Sequence, residues 1–487
     1  MSGVQLESAS TTSPTTLPTN SPTCDYFMYK FRRNCRDLPA EDSTRCLFHF
    51  GKEVEKRERI ACPFDPSHDV WSDNLNSHLK KCNKFLETQF EEMAPCYSKN
   101  CNVHKSDNVL ESAEPEESEK SEDKLSDEEK QAFCSYFDKF FEISEGVLDV
   151  KNVVLGRSTV PFDKTTERGR HKYQLKQILA AYEKHGFFNS FENQFTIFLE
   201  YGCGKAKLTQ AVQEYVKRNH SEPGISEPTD SEHSQPKKIC INPEEKNPDE
   251  NPTTKVKYSN LNLAYILVER EARRHKAEDK GKTVRLRLDL LDFNFKQLFT
   301  EKVVLPELNE RLTLQNKTRL KSSYLQIANI QEKIKHSKNS KSIVQAKHLC
   351  GSATDLAMQT LENAANSLKH DSKHNFGFGI ATCCHHRCDW DNYTGKDFIT
   401  ILADKIDVIS AQKLFCALRS IGAWATLTNE HESPETSLKQ KRGAQAKKLL
   451  DYGRLFYAGK TLNLRNLFYI DYCDFEITPE RFLILAY

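Results

Sequence analysis

Phe198-Leu199-Glu200-Tyr201-Gly202-Cys203-Gly204-Lys205-Ala206-Lys207-Leu208 is an apolar run that ends in an acid and then in two glycines one residue apart. A helical pattern follows from Leu208 to Val216. Such a strand, turn and helix lets a small ligand lie against the backbone, because a Cβ in the turn would hold the ligand away or clash. The short spacing acid-x-Gly-x-Gly suits S-adenosylmethionine better than a dinucleotide. The dinucleotide fingerprint wants a further small residue where Lys207 stands. Glu200 at the strand end is placed to accept hydrogen bonds from a cationic or hydroxylated ligand. A plain tight turn in any α/β domain is the competing reading of the stretch.

Outward from this turn, strand and helix patterns alternate from about residue 160. A helix from Lys172 to His185 precedes the strand Thr196 to Glu200. Further strands are expected at Ala264 to Val268, Val284 to Leu288, Ser342 to Ala346, Phe376 to Ala381, Leu467 to Tyr472 and Phe482 to Ala486. That alternation predicts an α/β domain with a doubly wound, mostly parallel sheet and helices on both faces. Residues 217–258 are polar, Pro-rich and Glu-rich, and read as a disordered insertion. The insertion matters for one distance. An acid ending the second strand commonly holds ribose hydroxyls roughly 20 residues past the turn. Glu269 lies 69 positions after Glu200; without the 42 residues of 217–258 the separation is 27. Glu269 is therefore a second cofactor-binding candidate. Asp289, ending the next strand, is a third, on the adenine side. Each also fits an ordinary surface acid.

In such a sheet, ligands collect at the carboxyl ends of the strands. Lys347-His348-Leu349-Cys350-Gly351 follows one strand there, and Lys347 and His348 fit a proton-handling role by type and place. Cys383-Cys384-His385-His386-Arg387-Cys388 follows the next. Adjacent residues cannot all point at one ion, so a substrate-facing or packed thiol–imidazole loop is expected in preference to a metal site. Arg387 has the chemistry to clamp a phosphate. Arg170-His171-Lys172-Tyr173-Gln174 opens the helix before the first strand; it can close over a cofactor or be an exposed basic helix start.

The N-terminal part is different in kind. Cys62, His68, His78 and Cys82 have spacings that satisfy a tetrahedral zinc ion, with His78 and Cys82 four apart on one helical face. Cys24, Cys35, Cys46 and His49 form a second set with wider spacings. Aromatic and basic residues from Tyr26 to Arg33 lie between its ligands, a composition that suits stacking on bases and contacts with phosphate. Cys96 and Cys101 are expected to be bystanders. The organisation expected is a disordered tail over 1–23, zinc modules at 24–50 and 57–84, an acidic linker over 106–130 and the α/β domain over 160–487. A helix is expected from Leu125 to about Phe141 with Phe133, Phe137, Phe140 and Phe141 on one side, a pattern compatible with a coiled coil.

The whole chain of 487 residues carries a net charge of +1, with an acidic block at 111–129 and basic clusters at 30–33, 52–59 and 270–287. Local positive faces can bind a polyanion at neutral total charge. Met1 to Thr23 is Ser/Thr/Pro-rich without an apolar core, and no apolar run has the length of a membrane span. The sixteen cysteines are thus expected to be reduced, in the nucleus or the cytoplasm.

Taken in order, these blocks resemble the eukaryotic tRNA 2′-O-ribose methyltransferases that modify the fourth nucleotide of the acceptor stem. Cys24, Cys35, Cys46 and His49 resemble that family's CCCH-type finger. Cys62, His68, His78 and Cys82 resemble its CHHC-type finger. Residues from about Thr166 onward resemble its methyltransferase domain through Arg170-His171-Lys172, Glu200 to Leu208, Ala346 to Gly351 and Cys383 to Cys388. Ala206 departs from the glycine expected in many relatives. The resemblance implies a Rossmann-like domain, S-adenosylmethionine and zinc as cofactors, and the tRNA acceptor stem as partner. It leaves the group that takes or orients the ribose hydroxyl proton open among Lys347, His348 and Lys172. Two other readings remain at this point. Methylation of a base or a protein amino group would want an Asn-Pro-Pro-aromatic motif where Lys347 to Cys350 stand. A non-catalytic RNA-binding scaffold would not need the intact turn or Glu269.

Overall fold

A computed structural model describes residues 23–28, 33–50, 59–103, 125–156, 166–189, 191, 193–220, 258, 261–271, 280–300, 302–308, 310, 312–368, 373–407, 410–426 and 434–487. Residues 1–22 of the expected tail, 106–124 of the expected linker and 221–257 of the expected insertion lie outside the described residues. Contacts divide the chain into two units, Met1–Leu86 and Glu87–Tyr487.

The first unit holds little regular structure. Strands β1 (Phe27–Met28) and β2 (Arg33–Asn34) pair antiparallel. Strands β3 (Arg59–Cys62) and β4 (Asp65–Trp71) form a second antiparallel hairpin, followed by the short helix α1 (Leu75–Leu79). Helix α2 (Asn83–Glu92) runs across the junction of the units.

The second unit begins with α3 (Asp127–Cys134), started by a capping box. Ser126 Oγ accepts from the Glu129 N–H and the Glu129 carboxylate accepts from the Ser126 N–H, satisfying two donors that a helix start leaves open. Helix α4 (Phe137–Val147) follows. The expected single helix is therefore two, and residues 126–130 begin a helix instead of ending a linker. The expected coiled coil is also corrected. Phe133, Phe137 and Phe140 are buried in the main core of this unit, against later helices of the same chain, so the apolar stripe is already covered.

The remaining elements are β5 (Val150–Val154), α5 (Glu167–Lys184), β6 (Phe195–Tyr201), α6 (Lys207–His220), β7 (Leu263–Val268), β8 (Thr283–Leu286), α7 (Gln297–Thr300), α8 (Leu314–His336), β9 (Ser340–Cys350), α9 (Ala353–Ser367), β10 (His374–Cys383), α10 (Lys396–Ile406), α11 (Ala411–Gly422), α12 (Pro434–Lys460), β11 (Leu467–Asp471) and β12 (Phe482–Ala486). Helix α6 takes residues 217–220 from the expected insertion. Eight strands form one sheet in the order β5-β11-β12-β10-β9-β6-β7-β8. Only β12 runs antiparallel to its neighbours. The protein is thus mixed α/β with a large, mostly parallel sheet.

Alternation along the central strands builds two cores. Phe195, Ile197, Leu199 and Tyr201 of β6 face one layer, with Ala264, Ile266 and Val268 of β7. Phe198 of β6 faces the other, with Leu263 and Tyr265 of β7 and with Leu175, Ile178 and Leu208 from α5 and α6. Both strands are buried on both faces, which is why they read as continuous apolar runs. From β6 the chain builds outward through β7 to β8, then returns to β9 on the other side of β6. That reversal puts the switch point of the strand order between β6 and β9, and sheets of this kind bind ligands at the carboxyl ends beside it.

Candidate active site and metal centres

The turn after β6 has the backbone the glycines allow. Gly202 has φ +57° and Gly204 φ +49°, in the left-handed region. A Cβ at Gly202 would meet Leu349 Cδ1 at 3.0 Å, whereas the space beside Gly204 is open. Ala206 also has a positive φ, +59°, and carries its methyl there in full burial. Alanine thus holds the turn with some strain where glycine would hold it freely.

Three neighbours brace this turn. Glu200 is buried, and its Oε2 accepts from the Thr209 N–H in the first turn of α6, 2.8 Å away. Glu200 was expected as an open acceptor at the strand tip; the structure gives that oxygen to a helix start, where the partial positive charge favours a carboxylate. Glu269 ends β7 and reaches back to the turn: its Oε2 accepts from the Gly204 N–H at 2.6 Å and its Oε1 from the Glu271 N–H at 2.9 Å. Arg285 on β8 donates to the Gly204 carbonyl at 2.9 Å and contacts Cys203 Sγ at 3.1 Å. Asp289 sits one strand farther out. It caps a short helical turn through the Leu291 N–H and lies 3.4 Å from Arg270. The structure thus brings Glu200, Gly202, Gly204 and Glu269 together at one edge, with Asp289 beside them.

The proton-handling candidates stand at the end of β9, the neighbour of β6. Here β9 carries a bulge. Ala381 of β10 pairs with Lys347 and Thr382 pairs with Leu349, so His348 is the extra residue, in the left-handed conformation at φ +61°. Lys347 precedes the bulge and shares a face with Ile343 by ordinary alternation, whereas the bulge re-aims the residues after it. Lys347 Nζ is buried and makes no hydrogen bond. Burial lowers its ammonium to about 8, because the charged form loses its hydration. His348 lies in the same crowded cleft with one face open to solvent; burial and then the Lys347 charge lower its imidazole. Lys172 points away: it is exposed on α5. Its neighbour His171 is half-buried instead and is lowered to about 4 by burial, then by Lys347, His348 and Lys207. Arg285 is not a candidate in the sequence, and His171 stands there only within the stretch Arg170–Gln174. Arg285 lay inside a stretch read only as a basic cluster, and His171 differs from Lys172 by one position on a helix whose rotation the sequence did not fix.

Beneath this edge lies a buried ionic cluster. The Arg454 guanidinium on α12 makes a two-pronged contact with Asp355 of α9, at 3.1 and 2.7 Å, and reaches Asp451 at 2.9 Å. Asp451 also accepts from Thr382 at 2.8 Å and is 2.9 Å from His385 Nε2. Burial pushes the Asp451 carboxyl up, but His385, Arg454 and Thr382 together hold it below the usual carboxylate range. The cluster fixes the loop of residues 383–388, on which Arg387 stays exposed.

The first unit gathers two Cys/His sets, each with its four ligand atoms within 4.8 Å of one another. A tetrahedral zinc ion sets separations of about 3.8 Å between sulfurs, about 3.3 Å between nitrogens and about 3.6 Å between sulfur and nitrogen. Cys62 and Cys82 Sγ are 3.8 Å apart, His68 and His78 Nε2 are 3.2 Å apart, and His78 Nε2 is 3.3 Å from Cys62 Sγ. Asp65 lies 3.4 Å from His68 Nδ1 and can orient that ring. In the other set Cys35 and Cys46 Sγ are 3.9 Å apart, and His49 Nδ1 is 3.2 Å from Cys46 and 3.6 Å from Cys24. Tyr26 stacks on His49 at 4.0 Å. Both donor sets fit zinc by type and by distance. Cys96 and Cys101 lie in the second unit, and burial pushes the Cys96 thiol up to about 12.

The family model for methyltransferase TRM13 matches residues 173–443, more than half of the chain and the whole edge from Gly202 to Cys388. The chain belongs to the TRM13 methyltransferase family. The model for the U11-48K-like CHHC zinc finger matches residues 59–83, the span that carries Cys62, His68, His78 and Cys82. Among TRM13 relatives, the tRNA:m(4)X modification enzyme of Vanderwaltozyma polyspora is 26% identical, covering 95% of this chain and 97% of its own. That of Saccharomyces cerevisiae is 24% identical, covering 95% of each chain. The human homolog is 24% identical, covering 85% of this chain and 76% of its own. No solved structure matches. Arg454 and the strands β11 and β12 fall beyond the matched TRM13 span, as does the set Cys24, Cys35, Cys46 and His49. Among the described residues no helix is long and apolar enough to cross a membrane.

Proposed function

We propose that this TRM13-family protein transfers a methyl group from S-adenosylmethionine to the 2′-hydroxyl of nucleotide 4 in the tRNA acceptor stem. The observation that carries the reading is Lys347: a buried amine without a hydrogen-bond partner, one strand from the Gly202–Gly204 turn and at the same sheet edge. A ribose hydroxyl is a poor nucleophile until its proton is taken or shared, and a desolvated lysine near neutral pKa suits that task. The relatives named as tRNA:m(4)X modification enzymes support tRNA as the substrate. The strand order, with its reversal at β6 and β9, supports a Rossmann-like methyltransferase domain.

The chain's residues divide the work. Gly202 and Gly204 let a ligand approach the backbone, and the open space beside Gly204 fits one. Glu269 and Asp289 are the acids within reach of ribose and adenine. Glu200 and Arg285 hold the turn in shape. S-adenosylmethionine, when bound, supplies a methyl group on a positively charged sulfur. Lys347 Nζ accepts the ribose proton, while His348 and His171, both neutral at pH 7, add no charge against it. Exposed Arg387 takes an RNA phosphate. The two Cys/His sets hold zinc, which gives these short modules folding energy and fixes their surfaces for RNA.

The test is to incubate the protein with unmodified tRNA and labelled cofactor and to map 2′-O-methylation by nucleotide. Label at the ribose of nucleotide 4 is expected. Label on a base, on another nucleotide or on protein overturns the assignment. Failure of the chain to bind S-adenosylmethionine in calorimetry, with tRNA binding retained, would make it a scaffold.

A further inference from the structure

Three thiols at the ends of β9 and β10 are not used by the chemistry above. The Sγ atoms of Cys350, Cys383 and Cys384 lie within 4.8 Å of one another, and those of Cys350 and Cys383 are 3.1 Å apart. The bulge at His348 creates this pair: it shifts the register so that Cys383 stands opposite Cys350 in the ladder. Adjacent strands are spaced about 4.8 Å apart, which lies inside the range of Cα separations a disulfide spans. The same distance argues against a shared ion. Sulfurs around tetrahedral zinc stand about 3.8 Å apart, as they do in both Cys/His sets of the first unit, at 3.8 and 3.9 Å. Cys383 and Cys384 are also consecutive, and Cys384 adopts a left-handed conformation at φ +46°.

The two loops are held tightly together here. A Cβ on Gly351, at φ +58°, would lie 2.6 Å from the Arg387 carbonyl oxygen, so only glycine fits. Cys350 is partly exposed to solvent, and Cys383, its neighbour at 3.1 Å, is buried. Such an order, an accessible thiol beside a covered one, is that of an attacking and a resolving cysteine.

We propose that Cys350 and Cys383 form a peroxide-reactive thiol pair that closes to a disulfide across the carboxyl ends of β9 and β10. The Cys350 thiolate attacks one oxygen of hydrogen peroxide; an S–O bond forms, the O–O bond breaks, and hydroxide leaves to become water. The Cys383 thiol then attacks that sulfur; the S–S bond forms, the S–O bond breaks, and the departing hydroxide takes the Cys383 proton as a second water. Two thiols are oxidised and one peroxide is reduced. The surroundings favour these roles. Hydrogen bonding with Cys383, and to a smaller extent with Cys384, outweighs burial and lowers Cys350 to about 6, with Arg387 adding to it, while Cys383 is pushed up. The link would tie the strand of Lys347 to the loop of Arg387. Resting on the proposed function, the disulfide form therefore loses methyl transfer.

The test uses the full-length, zinc-loaded protein. It is treated with hydrogen peroxide at a dose at which a chromogenic chelator detects no released zinc. Free thiols are blocked with N-ethylmaleimide, and peptides are mapped by mass spectrometry. A Cys350–Cys383 disulfide that dithiothreitol reverses is expected, and it must persist in Cys384→Ser and vanish in Cys350→Ser. Equal alkylation of Cys350 before and after peroxide overturns the proposal, as does a Cys350–Cys384 link. Three zinc ions per untreated chain would also overturn it, since the cluster would then be a metal site. Methyl transfer is measured in parallel: loss on oxidation and recovery with dithiothreitol is expected, with no peroxide sensitivity left in Cys350→Ser. Peptide mapping does not require methyl transfer, so a failure of the thiol chemistry and a failure of the assigned reaction show separately.

Discussion

In the module at 24–50 the buried apolar cluster consists of Cys24, Cys35 and Cys46, with Tyr26 and Met28 packed against them. Leu47, Phe48 and Phe50 stay 83, 78 and 65% exposed around it. In the second unit, by contrast, phenylalanines, leucines and isoleucines fill both faces of an eight-stranded sheet, and the buried Arg454 guanidinium is paired with Asp355. The first interior is a set of metal-type donors, and the second is apolar area removed from water. A short module with three cysteines for a core cannot repay its chain entropy without a ligand, whereas a domain of this size can.

The largest way to break that contrast is to remove the metal. Zinc binding in finger peptides is worth about 10–16 kcal/mol and is spent on folding. Chelation should therefore unfold both Cys/His modules while the second unit keeps its cooperative melt. Far-ultraviolet dichroism and two-dimensional NMR of the full chain read this out; simultaneous collapse of all signals would refute the division.

Next in size is the reverse operation, on the core of the second unit. Arg454→Met leaves Asp355 and Asp451 buried without their cation, and breaking such a pair costs about 3–5 kcal/mol. The urea midpoint should fall by that equivalent with zinc content unchanged. The same cluster sets an acid limit. Asp451 is held below its unfolded pKa, so its contribution is present above the ordinary carboxylate range and is lost as pH falls through its lower folded value.

A smaller effect is confined to chemistry. Lys347→Met should lower the rate of methyl transfer about a hundredfold, the low end for loss of a general base, while leaving the melt nearly unchanged. In the unaltered protein the rate should rise with pH and level off above about 8, because only the neutral amine accepts a proton. A flat profile over that window would remove Lys347 from the role. The smallest change is Ala206→Gly. Relief of the positive φ is worth about 1 kcal/mol, and loss of a buried methyl offsets much of it. A melt shifted by more than a few degrees in either direction would contradict this balance.

Legibility followed the same contrast. Ligand spacings were readable because a zinc site is a local arithmetic of donors, and both sets lie where the residues 24–49 and 62–82 suggested. The inner strands were readable because β6 and β7 are apolar on both faces. Strand β5 was not, since its edge position leaves it half polar, with no run to notice. The phenylalanines after Leu125 gave the right helical period but the wrong partner, for periodicity says that a stripe is covered and not by what. Arg454 was invisible for another reason. Asp451 and Arg454 stand three apart on a helix, which reads as a surface pair, and Asp355 and His385 join them only in the folded chain. Lys172 is exposed while His171, about a quarter-turn round the helix, is half-buried, and only tertiary packing sets a helix's rotation.

The bulge at His348 has one more consequence. Side chains alternate along a strand, so an odd insertion reverses the parity of everything after it. Leu349 reaches the core and Cys350 reaches Cys383 only because His348 is one extra residue in β9 with no partner in β10. What the molecule needs there is therefore a number before it is an imidazole. Replacing His348 alters one side chain, whereas deleting it would put the rest of the strand out of phase with its neighbour.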